Sequence, residues 1–142
     1  MTDDRDEPAI TDPIPDALPP GVHRLRSREA TSSVVDRLGR DGWAVSVVDL
    51  ADAADKAAIM DAFSVGLGLP EWFGRNWDAL TDVLRDLGWW PAGRRGRVIV
   101  IRGAGRQDTG TATDRDVLHA VLRDATASWS TTASPLVILL RR

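Results

Sequence analysis

The chain has no cysteine among its 142 residues, so no disulfide framework, thiolate metal site or Cys nucleophile can form. That composition suits a reducing compartment. Its two histidines, His23 and His119, lie far apart in sequence, which argues against a zinc centre. No Ser lies in a Gly-x-Ser-x-Gly elbow, and that removes the commonest hydrolase signature. No apolar run reaches the roughly 20 residues of a membrane span. The N-terminus is acidic and Pro-rich, unlike the basic and then apolar start of a secretory leader. The expectation is a cytoplasmic, non-enzymatic protein with no cofactor, no metal and no membrane contact.

What is present reads as a single domain, since a chain of this length can bury a core of its own. Residues 1–20 hold six acids, one Arg and several prolines. Such a stretch has few apolar anchors to offset chain entropy, so it is expected to be a disordered tail. Val22-His23-Arg24-Leu25 suggests a short strand. A helix through Leu38 follows, capped by Ser27 or Ser33 and ended by Gly39 or Gly42. Residues 43–50, 97–101 and 136–140 are β-branched and almost continuously apolar, as strands covered on both faces are. Between them the spacing predicts helices over about 56–65, started by Asp52 or Asp55, and over about 76–87. A further helix is predicted over about 115–127, started by Thr113 or Asp114. Strands alternating with helices favour a small parallel sheet flanked by helices.

The charge is uneven. Residues 49–90 carry eight acids against three bases, whereas residues 91–106 carry five Arg and no acid. The Arg run (Arg94, Arg95, Arg97, Arg102, Arg106) could touch RNA, but no aromatics are interleaved with it as a stacking platform needs. A solvated rim is the simpler account, and no nucleic-acid partner is expected. Gly103-Ala104-Gly105 follows a strand but lacks the third Gly of a dinucleotide-binding turn.

The acids gather around residues 69–86. Asn76 is placed to cap a helix, because its short side chain can accept a bond from a first-turn amide. Asp78 then meets the positive end of the helix dipole. Asp78, Asp82 and Asp86 are spaced by fours and share one face, while Trp77, Leu80, Leu84 and Leu87 form an apolar stripe. As an acid–base pair Asp78 and Asp82 lack anything nearby to raise one pKa. Trp72 and Phe73 precede them in a loop where Gly74 allows a tight or positive-φ turn. An acidic helix edge beside large aromatics suits a basic pocket on a partner protein.

At these residues the chain resembles the barstar family of ribonuclease inhibitors. The resemblance rests on Leu69-Pro70-Glu71-Trp72-Phe73-Gly74, then Asn76, Asp78-Ala79-Leu80 and Asp82. The family pattern is Leu-Pro-Glu, two aromatics, Gly, any residue, Asn, any residue, Asp-Ala-Leu and a further Asp. It implies a barstar-like α/β fold, a small parallel β-sheet of three to four strands flanked by helices. Residues 43–142 would form its core, within a domain spanning 21–142 that carries an added strand–helix unit at 21–42. It also implies a 1:1 inhibitor, monomeric when free, of a barnase-type ribonuclease or related toxin. Asp82 would enter the enzyme's phosphate-binding pocket, Asp78 would pair with nearby cations, and Trp72 would face the catalytic region. Phe73, Gly74, Asn76 and Thr81 would complete the partner-binding surface, joined by Asp124 from the next helix. Asp86 has no counterpart in the pattern. Arg75, Thr81 and Trp77 depart from barstar itself, and the identity of the target stays open. The alternative is a barstar-like module that binds another basic protein without inhibiting a ribonuclease.

Overall fold

Three apolar runs with β-branched residues and no interior proline become adjacent strands of one sheet. In the computed structural model, which describes residues 8–103 and 112–142, they are β3 (Trp43–Asp49), β4 (Gly96–Arg102) and β5 (Leu136–Arg141). Two further strands, β1 (Ala9–Thr11) and β2 (Gly21–Arg26), extend the sheet beyond β5. The spatial order is β1-β2-β5-β4-β3, and every neighbouring pair is parallel. The sheet therefore has five strands among the described residues, one more than the upper expectation.

Alternation along the strands sends successive side chains to opposite faces. Ile99, Ile101, Leu136, Ile138 and Leu140 point to one core, shared with α2 (Lys56–Leu67), α3 (Trp77–Arg85) and α4 (Ala112–Trp129). Val98, Val100, Val137 and Leu139 point to the other, shared with α1 (Thr31–Asp41) and residues 10–18. Both faces are covered, which is why these strands read as unbroken apolar runs.

The second core corrects the expectation of a disordered tail for its described part, residues 8–20. Ile10, Ile14 and Leu18 are all buried, and the Trp43 indole donates to the Asp16 carbonyl at 2.8 Å. Parallel neighbours need a crossover, usually a helix. Here the irregular segment between β1 and β2 plays that part, laying Ile14 and Leu18 across the sheet. Three anchors spaced by fours were hidden by the Pro- and Asp-rich average around them.

Most helix ends follow their local chemistry. Asp55 caps α2, accepting from the Ala58 amide at 2.8 Å, and Gly68 closes it in the left-handed region at φ 61°. Gly42 ends α1, as one of the two expected glycines. Neither expected serine caps α1. Ala30 precedes it without a side-chain bond, Ser27 donates instead to Asp12 at 2.6 Å, and Ser33 lies inside the helix. Thr113 and Asp114 likewise fall inside α4, which starts earlier than expected. Residues 104–111, and with them most of the Gly-rich stretch after β4 and Arg106, lie outside the described residues.

Candidate partner-binding surface

The surface is built by the turn between α2 and α3. After Gly68, the Leu69 amide donates back to Ser64 at 2.9 Å, and the Phe73 amide to Pro70 at 3.0 Å. This tight path separates the two adjacent aromatics. Phe73 is buried in the core with Leu80 and Leu84, whereas Trp72 stands 74% exposed. Phe73 is thus corrected from a partner contact to an anchor, whose burial fixes where Trp72 projects.

Of the tight or positive-φ turn allowed for by Gly74, the path is tight, but Gly74 itself does not take the positive φ. Arg75 does, at φ 55°, an uncommon region for a residue with a side chain. At Gly74 the space is close, since a Cβ there would lie 3.2 Å from that of Ala79. The Arg75 guanidinium reaches across to pair with Asp61 on α2.

Asn76 caps α3 as expected, its side-chain oxygen accepting from the Ala79 amide at 2.7 Å. Its amide nitrogen also donates to the Gly74 carbonyl at 3.3 Å, tying cap to turn. Leu80, Val83 and Leu84 face inward. Asp78 and Asp82 are exposed, one turn apart, and neither forms a side-chain hydrogen bond or ion pair among the described residues. Asp86 leaves their row. The helix ends at Arg85, and the Asp86 carboxylate instead accepts from the Gly88 amide at 3.4 Å.

Two other expected contacts are already engaged inside the molecule. Thr81 is half-buried, and its hydroxyl donates to the Trp77 carbonyl at 2.9 Å. Asp124 is exposed on α4, where Arg85 of α3 stands 3.7 Å from its carboxylate. It therefore belongs to the same two-helix surface as Asp82, but carries a cation of its own.

Sequence reasoning missed the support beneath the end of α3. Arg97, placed with the solvated rim, is buried. Its guanidinium lies between the rings of Trp90 and Trp129, at 5.9 and 5.2 Å from their centroids. It donates to the carbonyls of Trp90 at 2.7 Å and Leu87 at 3.0 Å. Burial pushes its pKa below the ordinary value. The Trp129 indole adds a bond to the Leu84 carbonyl at 2.9 Å. Together they fix the chain leaving α3, from which Trp89 projects, 37% exposed and stacked on Trp90. The other described arginines of the run also hold internal partners. Arg94 and Arg95 donate to the Asp41 carbonyl, and Arg102 pairs with Asp49 at 3.2 Å.

Among the described residues there is no group of three His, Asp or Glu placed to hold a metal. No helix among them is long and apolar enough to cross a membrane. With the acid row, its cap and its anchored turn in place, the sequence comparison becomes decisive: the family model for barstar, described as the barnase inhibitor, matches residues 43–141. This chain belongs to the barstar family. The match begins at the first residue of β3 and ends at the last of β5. Strands β1 and β2 and helix α1 precede it. No curated protein matches the chain in sequence.

Proposed function

We propose that this protein inhibits a barnase-type ribonuclease by placing the acid row of α3 over the enzyme's basic active site. One observation carries the reading: Asp78 and Asp82 project from one helix face without side-chain partners among the described residues, in the chain just after an exposed Trp72. Carboxylates held ready at a helix start attract a basic cleft over distance and replace its phosphate ligands on contact. Trp72 offers a large apolar area of the kind that anchors interfaces. Family membership supports the same reading. On it the inhibitor acts in the cytoplasm, one molecule per enzyme, as an immunity protein that protects the producing cell. No cofactor takes part.

The test is an RNA-cleavage assay with barnase as probe, titrated with the parent chain, Asp82→Ala and, as control, Asp36→Ala on α1. Truncating one partner of a buried charge pair costs about 2–5 kcal/mol, a scale set in part by barnase–barstar itself. Stoichiometric inhibition by the parent and by Asp36→Ala is expected, with Asp82→Ala weaker by thirtyfold or more, on the order of that cost. Equal potency of the two variants would refute insertion of Asp82. Binding of barnase without inhibition would instead favour a binding module that leaves the active site open.

A further inference from the structure

Large apolar side chains exposed among the described residues are three: Val65, Trp72 and Trp89. Val65 is the most exposed of them at 84%, and it lies outside the acid row, near the end of α2. One isolated exposed valine needs no explanation. Its position here is not isolated. Residues four apart on a helix are surface neighbours, so Val65 adjoins Asp61, and Asp61 holds the Arg75 guanidinium of the α2–α3 turn. Arg75 precedes the cap of α3. On the other side, the chain runs from Val65 through half-buried Leu69 and Pro70 to the exposed Trp72.

The charge of that bridge also matters. Arg75 alone would face a basic partner with a like charge at the margin of the acid row. Paired with Asp61, it makes the margin neutral. The surface between Val65 and Asp78 is therefore one that a basic protein can cover without repulsion.

We infer that the partner's footprint continues from the acid row and Trp72 onto α2, with Val65 as its outer apolar contact. The partner then carries an apolar shoulder beside its basic cleft. This inference rests on the reading of α3 as the inhibitory surface. It adds to that reading a contact outside the acid row.

Association and dissociation rates with barnase test it, for the parent, Val65→Asp, Val65→Ser and Asp82→Ala. An exposed position tolerates both Val65 changes, and equal thermal midpoints check the fold. The sign of the Val65→Asp effect is informative. Outside the footprint, an added negative charge near a basic partner leaves binding unchanged or speeds it. Inside the footprint, a carboxylate is pressed against an apolar surface and dissociation quickens. The expected result is a Kd raised roughly tenfold or more for Val65→Asp and about threefold for Val65→Ser, through the off-rate. Unchanged or tighter binding by Val65→Asp, with Asp82→Ala still weakened, overturns this inference alone. No binding by the parent overturns the inhibitory reading and this one with it.

Discussion

Ile14→Ala separates a packed N-terminal segment from a loose tail. Ile14 is 5% exposed and lies in the core formed with Leu25, Val34, Leu38 and Trp43. Truncating a buried Ile to Ala removes its transfer free energy and leaves a cavity, together about 2–5 kcal/mol. Against a total stability of about 5–15 kcal/mol for a domain, that is a large fraction. Each kcal/mol lowers Tm by about 2–4 °C at a size near 150 residues, so a fall on the order of 7–14 °C is expected for a mid-range loss. Urea denaturation followed by tryptophan fluorescence reads it directly, because Trp43 shares the core and bonds to Asp16. Pro15→Ala, at an exposed neighbour, is the control and costs at most about 1 kcal/mol, through the freer unfolded chain. Binding to a partner by folded Ile14→Ala is unchanged, since α3 packs on the opposite face of the sheet. A midpoint for Ile14→Ala equal to that of the control would refute the packing of this segment.

Two further changes probe other parts of the frame. Gly66→Ala places a Cβ 2.4 Å from the Val47 carbonyl oxygen, a backbone atom that cannot rotate away; a loss of about 1–3 kcal/mol is expected by calorimetry, and an unchanged Tm would contradict the close approach of α2 to β3. Asp12 has its pKa lowered from 3.8, first by the Ser27 hydroxyl and then by the Arg28 amide. A carboxyl whose folded pKa is depressed adds stability above its unfolded value, lost as pH falls through the folded one. The urea midpoint of the parent should thus exceed that of Asp12→Ala near neutrality, with the gap closing below about pH 3.8; a gap constant down to pH 2 would assign the effect to packing.

Periodicity made the centre of the molecule legible from sequence. The apolar runs of β3, β4 and β5 suited strands covered on both faces, and Asp55 and Asn76 each stood three residues before the amide they bond. The common face of Asp78 and Asp82 followed from helical spacing alone. Asp86 did not obey, because the helix ended one residue earlier, and spacing says nothing about where a helix stops. Trp72 and Phe73 were indistinguishable as neighbours in a loop. Which one is buried depends on how α3 packs, a fact carried by Leu80 and Leu84 rather than by the turn. Arg97 was hidden for a similar reason. The two tryptophans that enclose it come from the chain before β4 and from α4, and no local window contains all three.

The two-sided sheet also bears on where a partner can dock. A parallel sheet offers its edge strands as templates for another chain, and proteins commonly blunt them. At one edge β1 has three residues, too short for a stable pairing. At the other, α2 closes on β3 at Gly66, and the Arg95 amide donates to Gly42 at 3.0 Å, bringing the 91–95 loop to the start of the strand. Both faces are already occupied, one by α1 with residues 10–18 and the other by α2, α3 and α4. Recognition of another protein is left to the outer surfaces of the helices. Among these, the start of α3 joins an anchored turn, two carboxylates without side-chain partners among the described residues and the exposed Trp72 before it. Stabilising contacts in the N-terminal core can therefore change without moving that surface, because the two cores lie on opposite faces of the sheet.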